Sequence, residues 1–183
     1  MISGSPVRIR RVAFGWVCTT AAAVVAVTAP LICRGPDLVL WNASASVPVG
    51  LYLVQPDARL RAGDLAVADL PQPARQIAAN RQYLPAGVLL IKPVAALPGA
   101  RVCRYGPNLF IDGVRTAVAL KADRRHRDLP RWQGCQIVRQ DQVFLANPQV
   151  ADSFDGRYFG PIAQSLVHGR AWPLLTFREK TST

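Results

Sequence analysis

The sequence predicts a mainly antiparallel β domain behind one N-terminal apolar segment. Three observations carry this. Short apolar runs are punctuated by many of the chain's 13 glycines and 15 prolines, a pattern that suits strands and tight turns. Helical periodicity is weak after the first apolar segment. That segment, Val12 to Cys33, contains no charged residue and has about the length needed to span a hydrocarbon core.

At 183 residues the chain accommodates one ordinary domain plus an anchor. The expected division is 1–11 as a cytoplasmic N-terminus, 12–33 as a transmembrane anchor and 34–183 as an exported β-rich domain. Arg8, Arg10 and Arg11 precede the apolar stretch and Arg34 follows it, and the larger cluster marks the cytoplasmic side. A cleaved signal peptide is the competing reading. Its best cleavage position, after Ala29, places Pro30 immediately behind the cut, which disfavours it. Pro30-Leu31-Ile32 before Cys33 lacks the small residues a lipoprotein site requires.

The elements follow in order. Arg34 to Asn42 reads as a connector, Val47 to Gln55 as a strand, and Leu60 to Val67 as a turn into a second strand. Ala74 to Tyr83 suits a short helix with Ile77 as its main apolar contact. Gly87 to Leu97 is an apolar run broken by one charge, Lys92. Pro98-Gly99 turns the chain into a strand at Arg101 to Arg104, and Asp112-Gly113 within Asn108 to Val114 signals a hairpin. Lys121 to Gly134 is an arginine-rich excursion. Gln142 to Ala146 returns to the core, Tyr158 to Val167 reads as a late strand, and Trp172 to Phe177 as the last.

The net charge of +11 raises nucleic-acid binding as a possibility. No helix-turn-helix, zinc-finger pattern or aromatic-interleaved basic stripe supports it, and a basic face near anionic lipid is the better account. Four cysteines and two histidines without a Cys-x-x-Cys argue against a metal site, and no cofactor motif occurs. In an oxidising compartment Cys103 and Cys135 would close a loop of about 30 residues, worth a few kcal/mol on chain-entropy grounds. Two reduced, buried thiols are the alternative.

The candidate chemistry starts at Ser44-Ala45-Ser46-Val47-Pro48-Val49-Gly50-Leu51-Tyr52, a turn that can present a hydroxyl rigidly at the mouth of a sheet. A serine hydroxyl needs a base to become a nucleophile. His126 and His168 both read as surface residues. Lysine is the other candidate, and it serves only if burial lowers its pKa. Lys92, within Leu89-Leu90-Ile91-Lys92-Pro93-Val94, has an apolar setting. From these residues alone, an edge-strand lysine turned to solvent, with Pro93 marking the edge, stays open beside the base reading.

Taken together, these boxes resemble the signal peptidases, most closely the TraF-type peptidases of conjugative transfer. The run Ser46-Val47-Pro48-Val49-Gly50-Leu51-Tyr52 is similar to their Ser-x-Pro-x-Gly-[Leu/Ile]-Tyr. Ile91-Lys92, followed by Leu97-Pro98-Gly99, is similar to their lysine strand and turn. Ser153-Phe154-Asp155-Gly156-Arg157-Tyr158-Phe159-Gly160 is similar to their last box, and Leu129-Pro130-Arg131-Trp132-Gln133-Gly134-Cys135 to a run of the conjugative subgroup. The boxes keep the family's order from Asn42 to about Pro161.

The resemblance implies a signal-peptidase/LexA-like antiparallel fold and a Ser/Lys serine peptidase in the bacterial inner membrane, with its catalytic domain in the periplasm. Ser46 would be the nucleophile and Lys92 the general base. Ser44 and the Ser46 N–H would serve the oxyanion, Ser153 would orient the amine, and Asp155, counted with Ser46 and Lys92 as catalytic, would pair with Arg157 and hold the loop beside the centre. The implied partner is a membrane-inserted, pilin-like precursor, cleaved or cyclised. The sequence departs from the general secretory enzymes at Pro93 after the lysine, at Ala100 after Leu-Pro-Gly, and at Ala146-Asn147-Pro148. These departures favour a dedicated peptidase over an ordinary signal peptidase I. A catalytically inert, membrane-tethered β module of a transfer apparatus is the reading from a different class.

Overall fold

A computed structural model describes residues 16, 19–25, 39–85 and 87–177. The chain forms two units, Met1–Pro36 and Asp37–Thr183. In the first, Trp16 and residues 19–25 are helical, and the hydroxyls of Thr19 and Thr20 donate to the Trp16 carbonyl at 2.9 and 2.7 Å. No helix among the described residues is long and apolar enough to cross a membrane. Both ends of the expected anchor, its flanking arginines, Cys18 and Cys33 lie outside the described residues.

The second unit is built from two antiparallel sheets. The strands are β1 (Val39–Asn42), β2 (Val49–Gln55), β3 (Leu65–Ala68), β4 (Leu90–Ala96), β5 (Arg101–Tyr105), β6 (Asn108–Ile111), β7 (Val114–Val118), β8 (Gly134–Ile137), β9 (Gln142–Leu145), β10 (Ile162–Ala163) and β11 (Val167–Phe177). The larger sheet runs β1-β2-β11-β3-β4-β9-β10, and the smaller β7-β6-β5-β8. Two short helices complete the unit: α1 (Gln72–Asn80) and α2 (Gly156–Phe159).

Local sequence explains most elements. In β2, Tyr52 and Val54 are buried while Leu53 and Gln55 are exposed, the period-2 signature of a sheet with one face covered. Asp112 and Gly113, with φ of 48° and 83°, make the tight turn between β6 and β7 that Asp-Gly favours. Gly50 is demanded by a close approach: a Cβ there would lie 2.1 Å from the Leu175 carbonyl oxygen of the neighbouring β11. Val143, Phe144 and Leu145 of β9 are fully buried, each worth about 1.5–3 kcal/mol of transfer free energy.

Three expectations require correction, and one open alternative is closed. The connector at Arg34 to Asn42 ends in a strand, β1, because Val39 to Asn42 pairs with Leu53 to Gly50. The helix occupies Gln72–Asn80 and buries Ala74 and Ala78, with Ile77 only half-buried. Tyr158 to Val167 is not one strand. Asp155 caps α2 by accepting from the Arg157 N–H, so Tyr158 and Phe159 are helical despite their β propensity, and only Ile162–Ala163 pair with β9. Lys92 is not on an edge. β4 lies between β3 and β9, and Pro93 fits because it sits beyond the last paired residue of β9, where its carbonyl accepts from Ala146 N–H at 3.1 Å.

Candidate active site

The serine pair sits in the loop joining β1 to β2, and Asn42, the last residue of β1, shapes that loop. Its side-chain amide donates to the carbonyls of Ser44, Val47 and Pro48 at 2.9, 3.1 and 3.1 Å. Its Oδ1 accepts from Ser44 N at 3.1 Å and from Ser44 Oγ at 2.9 Å. Tyr52 adds a second tie, donating its buried hydroxyl to the Pro48 carbonyl at 2.6 Å. The tyrosine of the Ser-x-Pro-x-Gly-Leu-Tyr run thus braces the turn that the run begins.

A proton inventory follows from these bonds. Ser44 Oγ and Ser46 Oγ are 2.9 Å apart. A hydroxyl has one proton, and that of Ser44 is given to Asn42 Oδ1. Ser46 is therefore the donor between the two serines, and its proton points at Ser44.

Lys92 occupies the middle of β4 with 5% of its surface exposed. Its Nζ donates to Ser153 Oγ at 2.7 Å. Burial pulls its pKa from 10.5 down to about 8; nearby Asp155 and Asp152 push upward, while Arg157 adds to the downward pull. At neutral pH a measurable fraction of this amine is uncharged, as a lysine base requires. Ser44, Ser46, Lys92 and Ser153 all line one cavity of about 420 Å³. No hydrogen bond joins Lys92 to Ser46: the amine is held by Ser153 and the alcohol by Ser44.

Asp155 and Arg157 stand behind the cavity wall and do not line it. They are 0% and 1% exposed and form a bidentate pair, Nε to Oδ1 at 2.9 Å and Nη2 to Oδ2 at 3.0 Å. Arg157 also donates to the carbonyls of Val118, Asn147, Val150 and Ala151, so the segment before Ser153 is wrapped around one guanidinium. Asp155 accepts in addition from the Asn147 N–H at 3.0 Å. These bonds occupy the carboxylate completely, and its contacts are those of a positioning group. Asn147 links this cluster to the serine loop: its amide donates to the Ser46 carbonyl at 2.5 Å.

The small sheet supports the same segment from outside. Arg104 of β5, 2% exposed, donates to the Arg157 carbonyl at 2.6 Å and to that of Pro130 at 3.3 Å. Trp132 Nε1 donates to the Gly156 carbonyl at 3.2 Å. Cys103 and Cys135 are register partners in β5 and β8 and are disulfide-bonded, with Cα atoms 4.0 Å apart. The Leu-Pro-x-Trp-x-Gly-Cys run therefore ties β8 and the excursion to the helix α2. His126 and His168 are exposed and lie off the cavity. His168 bonds to Asp69 at 3.0 Å. Among the described residues no cluster could hold a metal ion.

Two residues of this site are invisible to motif reading, Asn42 and Asn147. Both act on backbone carbonyls, and an asparagine before a Ser/Pro/Gly stretch reads only as a turn former.

A serine pair on a sheet-edge loop, sharing one cavity with a lysine kept dry on an inner strand of the same sheet, marks a signal-peptidase-like β domain. Residues 11–175 match the family described as signal peptidase, peptidase S26, and the chain belongs to that family. It is 37% identical over 147 residues to a probable conjugal transfer protein TraF of Sinorhizobium fredii (strain NBRC 101917 / NGR234), covering 74% of this chain and 76% of that protein. It is 36% identical over 169 residues to the conjugal transfer protein TraF of Agrobacterium tumefaciens (strain 15955), covering 86% and 92%. A signal peptidase I of Enterococcus faecalis V583 aligns with 62% of this chain and 97% of its own, at 19% identity and a TM-score of 0.37.

Proposed function

We propose that the chain is a membrane-anchored serine endopeptidase that matures an exported precursor, with Ser46 as nucleophile and Lys92 as general base. The observation that carries this reading is the buried Lys92 amine, its pKa drawn down to about 8, in the cavity that also holds the two serine hydroxyls. For reaction, Ser46 rotates from Ser44 and gives its proton to neutral Lys92 as Oγ attacks the scissile carbonyl. The Ser46 N–H, with the Ser44 hydroxyl once released by Asn42, faces the developing oxyanion. Lys92 returns the proton to the leaving amine. Water, or an amine of the same substrate, then resolves the acyl-enzyme, giving a cut or a cyclic product.

For a chain whose relatives are named for conjugal transfer, we infer a pilin-like, membrane-inserted substrate and a site of action at the bacterial inner membrane, with the β domain in the periplasm. Exposed Val39, Trp41, Trp172, Leu175 and Phe177 on β1 and β11 support a lipid-facing edge, since β1 begins a few residues after the apolar stretch ending at Cys33 and such side chains suit an interface. Anionic lipid would complement the chain's basic charge. The departures at Pro93 and Ala100 favour one dedicated substrate over general secretory cleavage.

The test is acylation. A lactam-type probe should label wild-type protein at Ser46, located by peptide mass analysis, and leave Ser46→Ala and Lys92→Ala unlabelled while both stay folded. Labelling that persists in Lys92→Ala would refute the dyad. A wild-type chain that never labels, yet whose Ser46→Ala form still supports transfer, would favour the inert module.

A further inference from the structure

The cavity has a second wall that the proposed chemistry does not use. Its floor is apolar, formed by Leu70, Leu84, Leu90, Leu129 and Phe154. Its outer wall carries Arg81, just past α1, with Arg124, Arg125 and Arg127 from the excursion, against two acids, Asp123 and Asp152. Four guanidinium groups face two carboxylates, so the wall has an excess of two positive charges.

Both acids are already occupied. Asp123 accepts from the Tyr83 hydroxyl, from Arg127 Nε at 2.7 Å, and from the N–H groups of Arg125 and Arg127 at 2.9 Å each. Asp152 pairs with Arg124. Arg81 spends a donor on the Asp128 carbonyl at 2.8 Å, which neutralises nothing. The Arg125 side chain has no hydrogen-bond or ion-pair partner among the described residues; only its backbone N–H is bonded.

The wall is also a built surface. Arg127 donates to the Arg81 carbonyl at 3.3 Å and stacks 5.5 Å over the Tyr83 ring. Asp123 and Leu129 close the base of the excursion, Asp123 N to Arg127 O and Leu129 N to Lys121 O, each at 3.0 Å. Arg125 is exposed at the rim of this surface, and its planar guanidinium, unspent on any described neighbour, can take a carboxylate bidentately.

The geometry points to a substrate-recognition subsite on this wall that takes a carboxylate of the substrate peptide, with Arg125 as the principal contact and apolar substrate residues on the cavity floor. This deepens the peptidase reading by naming the class of its substrate: a peptide with an apolar segment and an acid close to the scissile bond. A carboxylate can come from an Asp or Glu side chain or from the peptide's free C-terminus, and the chemistry at the wall is the same.

Binding tests it without turnover. Full-length Ser46→Ala protein in detergent is titrated with labelled apolar peptides that differ only at one position, Glu, Gln or Lys, placed on either side of the scissile bond. Each is made with a free or an amidated C-terminus. The Glu peptides, or the free-acid peptides if the terminus is the source, should bind about tenfold or more tighter than their neutral counterparts. The preference should shrink as salt is raised. Arg125→Glu in the same background should reverse the ranking in favour of Lys.

Equal affinity for the Glu, Gln and Lys peptides with either terminus would overturn the subsite, as would an unchanged ranking in Arg125→Glu. Failure of all of them to bind would overturn it too. Probe labelling of wild-type Ser46 keeps the two claims apart: labelling without charge preference removes the subsite alone, and charge preference without labelling removes the peptidase reading.

Discussion

The two halves of the candidate site are held in different ways. The lysine half stands on a central strand and a buried ion pair: Lys92 is locked by Ser153, and the segment before Ser153 is wrapped around Arg157, whose donors are spent on Asp155 and four carbonyls. The serine half is a half-exposed loop held by the Asn42 amide, the Tyr52 hydroxyl and a single bond from the Asn147 amide to the Ser46 carbonyl. The proposed base is therefore fixed and the proposed nucleophile adjustable. That division suits a centre in which Ser46 first rests on Ser44 and must turn toward Lys92 when a substrate arrives.

Substitutions can break or sharpen this contrast. The largest effect is expected for Lys92→Ala, which should lower the Ser46 acylation rate by about 10⁴-fold or more, as loss of a base acting with its nucleophile does. Circular dichroism should show the fold retained. Next comes Arg157→Ala, which strands the Asp155 carboxylate in a dry site at a cost of about 3–5 kcal/mol; denaturant melts should show most of the domain's stability gone. On the serine half, Ser44→Ala should slow acylation by about 10²–10³-fold, the loss expected for one oxyanion donor, with stability little changed.

The smallest effects separate the two asparagines. Asn42→Ala removes the tie on three carbonyls and should cost about 1–3 kcal/mol, with slower acylation from a disordered turn. Asn147→Ala leaves the loop intact but cuts its link to the buried pair. It should slow acylation by about tenfold, an effect of roughly 1.4 kcal/mol, with a smaller stability loss than Asn42→Ala. Equal losses in both assays would remove the distinction between a fixed and an adjustable half.

Much of this was legible in the chain. The Ser46–Tyr52 run, Lys92 in an apolar stretch and the Ser153–Gly160 box single out stretches that meet at one cavity, because the patterns that mark them are local. Gly50 is needed where β11 presses on β2, and Asp112-Gly113 turns a hairpin wherever it occurs. What stayed hidden is non-local. Nothing in Val167–Phe177 says that the last strand enters the middle of the sheet between β2 and β3. Tyr158-Phe159 reads as strand until the Asp155 cap is seen to win over side-chain propensity. Lys92 could be an edge residue by sequence, since only the fold shows β4 inside the sheet and the amine covered where it meets Ser153. Asn42 and Asn147 could not be singled out because their partners are main-chain oxygens, which every residue has.

The central claim is that Lys92 titrates low because it is buried, and that Ser46 reacts only when that amine is neutral. It is tested most directly by the pH dependence of Ser46 acylation. The lysine pKa is lowered by folding, so the reactive form grows as pH rises. The rate should increase about tenfold per pH unit below the midpoint and level off above about 8. A rate constant that is flat from about pH 6 to 9, or a midpoint near the ordinary lysine value of 10.5, would contradict the account.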